Sequence, residues 1–386
     1  MEENNRAKIA RCGYAAFSFS GLCSTAAGIL VTLLQQRYGL PYTLTGNFLS
    51  ALSLGNLLAA LVSGLLAGSW GVRRVALALS GGAALGYLLM SVTGVPMLLW
   101  MAFFILGIGK GSAANISSVL VAQGSSDRTR SMNLMNAGFA LGALACPFII
   151  NAMSSKSLPW QAPFLAMVLM GILLWVSFLL APTGKEMGRA QKGERSEWGF
   201  LRTGSFWRLT GLMFFEQASE VTITSFVVTY FIDAGLLPGR ISGYVVTLLW
   251  ACMLGARLVI ARFGGRARSP FSLLSVMCVG TILTYLLMLM ANGPTLALLG
   301  VALLGIAIAG MYPTGIAAAG DQLSSQSLGV LLPVAGSGAV IMPAVAGAVA
   351  ESVGIHGGMA CILVPLTGLL VMCLVCLYYS IRERKA

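Results

Sequence analysis

Long apolar stretches separated by short polar connections run through the whole chain. Runs of about 20 apolar residues, the length that a helix needs to cross a bilayer, occur twelve times. Their approximate cores are 12–34, 44–67, 75–94, 97–121, 132–153, 161–181, 207–231, 241–262, 271–291, 295–319, 327–350 and 357–380. Because the hydrocarbon core offers no partner for backbone polar groups, spans of this length predict an all-α membrane protein.

The composition supports this prediction, and the charges indicate an orientation. Of 386 residues, 57% are hydrophobic and 9% are charged, against roughly 25% charged in a soluble domain. The net charge of +12 would favour nucleic-acid binding in a soluble protein, but here the basic residues lie between apolar stretches. Most lie on the side that holds the N-terminus, and the other side receives Arg37, Lys156 and Arg240. This imbalance predicts a multi-pass protein of the plasma (inner) membrane with both termini cytoplasmic, in contact with the lipid bilayer and without a nucleic-acid partner.

One long polar stretch, residues 182–197, divides the spans six and six. A solvated linker between two helix bundles explains it best. The sequence therefore predicts an N-terminal six-helix bundle at 1–181, a cytoplasmic linker at 182–204 and a C-terminal six-helix bundle at 205–386.

The two halves share short motifs at a nearly constant offset. Leu106–Ile108 recurs as Leu304–Ile306 after about 198 residues, and Pro147 is matched by Pro343 after about 196. The Gly-x-Arg motif at Gly71–Arg73 has a counterpart at Gly264–Arg266. These matches predict a duplicated six-helix unit. In transporters built from such repeats, the substrate site lies near the membrane midplane between the halves.

Two carboxylates lie within the seventh apolar span. Glu216 and Glu220 are four residues apart and so share one helix face. A charge at the bilayer centre costs about 2.5–3.5 kcal/mol, and two neighbouring carboxylates in a dry site cannot comfortably both ionise. A carboxyl group that exchanges its proton can carry it across with a substrate, so Glu220 first and then Glu216 are candidates for proton coupling. Alternatively, one is paired structurally and the other lies nearer the headgroups.

Two cations also lie within spans. Lys110 is central in the fourth span, where it needs a partner: a carboxylate of the seventh span, or an anionic substrate bound directly. Alternatively, Lys110 extends to an interface. Arg257 lies closer to the cytoplasmic end of the eighth span, where a structural or gating role is favoured.

Amides and an aromatic residue within the spans suit a polar substrate, because amides both donate and accept hydrogen bonds. The candidates for substrate binding are Lys110, Asn115, Asn133, Asn136, Gln217 and Trp250. Interhelical hydrogen bonding is the alternative role for the amides.

Motifs for other chemistries are missing from the sequence. It has no P-loop, HExxH or paired CxxC motif, and its single histidine, His356, offers no catalytic triad. The eight cysteines lie in or beside apolar segments and are expected to be reduced packing residues. We therefore expect no enzyme activity, no cofactor and no metal.

The segment Gly64–Arg74 resembles the signature loop between spans two and three of the major facilitator superfamily. Gly68 stands where that family usually has an aspartate, so the resemblance leaves the usual gating contact in doubt. It implies a structural or gating role for Gly71, Arg73 and Arg74, with Arg257 bracing the gating helices. The glycine-spaced fifth span ending at Pro147 is also similar to this superfamily.

Within the superfamily, four segments resemble the fucose-permease-like branch of sugar–proton symporters. They are Gly107–Asn115, Met132–Phe139, Glu220 with Phe226 and Tyr230, and Gly338 with Pro343 and Gly347. One departure is Ser24, which stands where the branch often has an acidic residue and lies 196 residues before Glu220.

The resemblance implies a monomeric carrier with two rocking bundles that takes up a small-molecule substrate, a monosaccharide or similar polar solute, with a proton. One alternative is an efflux carrier for a drug-like or anionic compound, which a cavity lined by Met, Phe and Leu would favour. A membrane enzyme or a sensor would need a catalytic cluster or an added soluble domain, and the sequence shows neither.

Overall fold

A computed structural model of the protein describes residues 2–124, 128–154, 157–181, 198–263, 269–323 and 325–383. Within these ranges the chain forms fifteen α-helices and one short 3-10 helix, Trp198–Arg202. The α-helices are α1 Glu2–Tyr38, α2 Tyr42–Trp70, α3 Val72–Ser80, α4 Gly82–Val92, α5 Pro96–Gly124, α6 Arg128–Met153, α7 Ala162–Leu179, α8 Gly204–Asp233, α9 Gly239–Ser242, α10 Tyr244–Phe263, α11 Pro270–Leu289, α12 Pro294–Ile308, α13 Met311–Gln322, α14 Ser325–Ala360 and α15 Leu363–Glu383.

The predicted spans fall on these helices. Nine helical stretches of the described chain are long and apolar enough to cross a membrane. The stretch Val330–Arg382 holds both of the last two predicted spans, and the seventh and eighth lie on α8 and α10. The all-α prediction is confirmed, and the helix set fits twelve spans.

Two predicted spans are built from two helices rather than one. The third is divided at Gly81, between α3 and α4, and the tenth at Ala309 and Gly310, between α12 and α13. The long helix α14 also kinks at Gly354, where a φ of 85° favours glycine because it has no Cβ. This kink separates the eleventh predicted span from the twelfth.

The chain divides into two compact units. Unit 1 comprises Met1–Leu40 and Asn47–Gly193, and unit 2 comprises Pro41–Gly46 and Glu194–Ala386. In unit 1, α1 packs against α5, α6 and α7; in unit 2, α8 packs against α14 and α15. The predicted domain limits stay predictions, because residues 182–197 of the linker lie outside the described ranges.

Glycines at matching positions allow the closest helix approaches in each unit. In unit 1, a Cβ on Gly107 of α5 would collide with the carbonyl oxygen of Leu52 of α2. In unit 2, a Cβ on Gly305 of α12 would lie 2.7 Å from the carbonyl oxygen of Leu249 of α10. Both members of the second pair lie about 197 residues after those of the first.

A second pair of close approaches repeats in the same way. A Cβ on Gly142 of α6 would collide with the carbonyl of Ser18 in α1, and a Cβ on Gly338 of α14 with that of Phe214 in α8. The offset is 196 residues for both members. Shared packing of this kind is what a duplicated six-helix unit requires.

Candidate functional site

The central part of α8 places two carboxyl groups inside unit 2. Glu216 is buried, with 1% of its surface exposed, and Glu220 is half-buried one turn further along. The backbone of α8 approaches α14 closely at Phe214 because Gly338 has no side chain. This contact holds α8 against α14 on the face that bears Phe214 and Ala218.

The hydrogen bonds of this pair are incomplete. The amide Nε2 of Gln217 donates to Oε2 of Glu216 at 3.1 Å. Oε1 of Glu216 and Oε2 of Glu220 are buried and have no donor among the described residues. The two carboxyl groups lie within hydrogen-bonding reach of each other. One proton held between them would supply a missing donor, whereas two bare carboxylates would repel each other in a dry environment.

A cation, Arg257, interacts electrostatically with the carboxyl pair of unit 2. Nε of Arg257 on α10 donates to the carbonyl of Ala309 at 2.8 Å, and its guanidinium lies 6.0 Å from the centre of the Trp250 ring. The positive charge of Arg257 interacts electrostatically with Glu216. The hydroxyl group of Tyr312 interacts electrostatically with both carboxyl groups. Within unit 2, Gln217 therefore contacts Glu216 and Arg257 lies over Trp250, and their roles at a site stay predictions.

Lys110 is half-buried on α5 in unit 1. Residues 7–124 and 128–181 contain no aspartate or glutamate, so the described side chains packed around it in this unit include no acidic partner. The predicted pairing with a carboxylate of the seventh span stays a prediction. A buried ammonium without a counter-charge is costly, which keeps an anionic group on the substrate as the alternative.

The candidate amides of unit 1 have different surroundings. Asn115 donates from Nδ2 to the carbonyl of Ala60 at 3.2 Å and to Oγ of Ser63 at 2.8 Å, so its amide nitrogen links α5 to α2. Asn136 is exposed on α6. Asn133 also belongs to α6, but its side chain lies outside what the structure describes. The donor of Asn115 therefore serves the interhelical role that the sequence left open.

Two serines on α1 were not among the predicted site residues. Ser20 is 1% exposed, and its Oγ and that of Ser24 are buried without a hydrogen-bond partner among the described residues. Other hydroxyls on this helix, such as those of Ser18 and Thr32, donate to the carbonyl four residues earlier. Ser20 and Ser24 lie 196 residues before Glu216 and Glu220. Position 20 lies one repeat offset of 196 residues before Glu216, so the internal repeat in the sequence could have identified Ser20.

The loop between α2 and α3 has the geometry of a tight helix junction. Gly71 has a φ of 85°, the left-handed region that favours glycine. Arg73 donates from Nη2 to the carbonyl of Leu179 at the end of α7, at 2.6 Å, and Arg74 is exposed. These local contacts fit a structural role for Gly71 and Arg73 within unit 1, and their structural or gating role stays a prediction.

No group of three or more His, Cys, Asp or Glu side chains within the described ranges could hold a metal ion. All eight cysteines are free thiols, as expected for packing residues.

Solved structures with a similar fold include two transporters. A mutant of the nucleoside transporter NupG matches with a TM-score of 0.78 and 13% identity, covering 96% of this chain and 98% of that one. A mutant of the Escherichia coli fucose:proton symporter FucP matches with a TM-score of 0.62 and 15% identity, covering 96% and 99%. At these identities the likeness shows the fold alone.

Among curated proteins, the class C tetracycline resistance protein of Escherichia coli is 30% identical over 208 residues. The match covers 53% of this chain and 48% of that protein, so the chain spans about half the length of the curated relative it matches.

The family comparison covers most of the chain. The sequence model of the Major Facilitator Superfamily matches residues 13–332. It confirms the predicted superfamily, the multi-pass membrane fold and the prediction of a transporter rather than an enzyme. With the duplicated helix packing and the buried carboxyl pair of α8, this match shows that the chain is a member of the Major Facilitator Superfamily.

Proposed function

We propose that this protein is a proton-coupled secondary transporter that moves a small polar solute, a monosaccharide or sugar derivative, by alternating access. It acts as a monomer in the plasma (inner) membrane, with both termini in the cytoplasm. The positive-inside distribution of Lys and Arg supports this orientation. Two transporters of similar fold are named for the transport of fucose with a proton and of nucleosides, and we take a polar solute of this kind as the proposed substrate.

The carboxyl pair of α8 is the observation that carries the proposal. Glu216 and Glu220 lie in the middle of an apolar helix, and each has a buried oxygen that receives no hydrogen bond from the described part of the chain. A structural ion pair would leave these carboxyl oxygens satisfied, whereas a proton-exchanging pair needs oxygens that are free to take up a proton. In this proposal Glu216, the more buried of the two, stores the proton, and Glu220 exchanges it with the surroundings.

The residues around the pair have positioning roles in the same scheme. Gln217 donates to Oε2 of Glu216 and so leaves Oε1 as the atom that accepts the transported proton. Arg257 is anchored to the Ala309 carbonyl, and in this scheme its positive charge attracts the carboxylate that remains after the proton leaves. Trp250 offers an aromatic face on which a sugar ring can stack.

Efflux of a drug-like compound is the second candidate. The observation that favours it is the 30% identity to the class C tetracycline resistance protein over half of each chain. The lack of an acidic side chain in residues 7–124 and 128–181 around Lys110 favours an anionic compound in either direction of transport.

The test is transport into proteoliposomes that contain the full chain. The panel comprises neutral monosaccharides, sugar acids, nucleosides and tetracycline, each measured with and without a pH gradient of about one unit. With one proton per substrate, such a gradient supports at most about tenfold accumulation, because one pH unit corresponds to about 1.4 kcal/mol. We expect gradient-driven accumulation of a neutral monosaccharide.

The variants Glu216→Gln and Glu220→Gln should lose this accumulation but retain substrate exchange at equal concentrations, because only the proton-bound step is blocked. Asp321→Asn is the matched control, since Asp321 is an exposed carboxylate at the end of α13 in the same unit. Normal uphill accumulation in both glutamine variants would refute proton coupling at this pair. Gradient-driven movement of tetracycline, with no sugar transported, would establish the second candidate instead.

A further inference from the structure

A cavity of about 190 Å³ lies in unit 1, where α1 and α6 end and α7 begins. Its polar lining residues are Arg37, at the end of α1, and Ser154, just after α6. Leu33, Leu158, Pro159 and Pro163 supply an apolar wall, and Trp160 closes it beside the start of α7. Drug-sized ligands usually occupy about 300–1,000 Å³, so this cavity suits a smaller group.

Aromatic contacts hold the tryptophan of this cavity in place. The Trp160 ring meets Tyr38 edge-on at 5.8 Å and Phe164 at 5.6 Å. Tyr38 is itself confined, because its ring lies against Gly94, where an added Cβ would collide with it. Trp160 is thus fixed before any ligand arrives, which lowers the entropic cost of binding.

Among the side chains that the structure describes in unit 1, Arg37 has no acidic counter-ion. Its guanidinium lies 5.6 Å from the centre of the Trp160 ring, which orients it, but residues 7–124 and 128–181 contain no acidic side chain. Arg37 is exposed, so its five N–H donors remain accessible. Paired guanidinium donors match the oxygens of a phosphate group.

The position of the cavity at the helix ends favours a phosphate group that belongs to a membrane lipid. Arg37 lies at the end of the span Ala7–Tyr38, and Trp160 lies two residues before the span Ala162–Leu179. Helix ends bearing Trp and Arg lie at the level of the lipid headgroups. Leu33 lies one turn inside the span of α1, on the acyl-chain side of Arg37.

We propose that this cavity binds the phosphodiester headgroup of an anionic membrane lipid, with Arg37 on the phosphate and Trp160 at the headgroup level. An anionic headgroup is favoured over a zwitterionic one, because the described lining contains no carboxylate for an ammonium group. The site is separate from the proposed transport function and does not depend on it.

Native mass spectrometry of the full chain in detergent tests the site with three probes: phosphatidylglycerol, phosphatidylcholine and glycerol phosphate. We expect phosphatidylglycerol to be retained in preference to both others. Arg37→Gln should weaken its retention about fivefold, the effect of about 1 kcal/mol for one arginine near an anionic surface. Trp160→Leu should also weaken the retention of phosphatidylglycerol. Arg37→Lys should retain more of this lipid than Arg37→Gln does.

The matched control is Arg240→Gln, which removes another arginine on the same predicted side but lies in the other unit. It should leave retention unchanged. Equal retention by wild-type protein and Arg37→Gln would overturn the proposal, as would equal retention of phosphatidylcholine. Equally strong binding of glycerol phosphate would mean a site for a free phosphate compound and not for a lipid. If Trp160→Leu fails to fold, Trp160→Phe tests the same position.

Discussion

Arg257 joins two features of unit 2 that lie far apart in sequence. Its Nε donates to the carbonyl of Ala309, which follows the last residue of α12 and lies 52 residues away along the chain. A carbonyl at a helix end has no partner within its own helix, so this hydrogen bond satisfies it. Arg257 therefore stabilises the break between α12 and α13 while placing its charge near Glu216.

Replacement of this arginine should affect stability as well as transport. Arg257→Leu should destabilise the protein by about 2 kcal/mol, because it leaves a polar carbonyl without its charged donor. Arg257→Lys should keep only part of the stability that Arg257→Leu loses, since an ammonium group lacks the planar geometry of a guanidinium group. Thermal unfolding in detergent measures both effects. A melting temperature for Arg257→Leu equal to that of the wild type would contradict the structural role.

At the residue scale, the sequence identified both carboxylates as candidates for proton coupling. It placed Glu220 first because that residue resembles a glutamate of the sugar–proton symporters. The structure adds that Glu216 is the more buried and that it accepts a hydrogen bond from Gln217. Burial of one face of α8 depends on which helices pack there, and α14 and α15 follow more than 100 residues later. Spacing along α8 shows that the two residues share a face, but not how deeply each one is buried.

The helices pack closely through glycines that recur in both units. Gly107 and Gly305 face the carbonyls of Leu52 and Leu249, and Gly338 faces that of Phe214. In a membrane, helix association depends on close van der Waals packing, because lipid supplies no hydrophobic drive. These glycines are therefore needed for contact and not for turns.

Alanine substitutions should separate packing glycines from the others. Gly107→Ala and Gly305→Ala should each cost about 1–3 kcal/mol, because the added methyl group overlaps a neighbouring helix. Gly255→Ala in α10 is the control, since a Cβ there meets nothing within 4 Å. It should be neutral or gain up to about 1 kcal/mol from helix propensity. Thermal unfolding compares the three variants, and equal melting temperatures would exclude this packing role.

At the element scale, apolar run length predicted the helices well but not their interruptions. The third and tenth spans were predicted as single helices, and each is built from two. Both interruptions involve glycine, but glycine is abundant in these spans and most examples lie in continuous helix. Gly81 and Ala309 keep helical dihedral angles, so each interruption is only one or two residues long and leaves its span continuous, which apolar run length alone does not resolve.

For the molecule as a whole, the distribution of basic residues predicts one orientation. Alkaline phosphatase fused after Gly39, between α1 and α2, should be active because that connection is predicted outside. The same enzyme fused at the C-terminus should be inactive, and a green fluorescent protein fused there should fluoresce. The phosphatase activity and the fluorescence are measured in intact cells. Reversed activities at the two positions would show the opposite orientation.

The linear order of apolar and polar residues by itself determined the helical class, a set of spans that fits twelve and the duplicated unit. These properties depend on run length and on spacing along the chain, which folding does not alter. The superfamily followed from residues that remain adjacent in sequence.

Only the tertiary structure decided which polar groups already have hydrogen-bond partners. The amide of Asn115 finds Ser63, which lies 52 residues away, whereas Ser20, Ser24 and the two carboxyl groups each retain an unpaired atom. A hydrogen bond depends on distances and angles between atoms of different helices, and these are set by packing that no local pattern encodes. The polar atoms available for a proton or a substrate thus became visible only once the helices were packed.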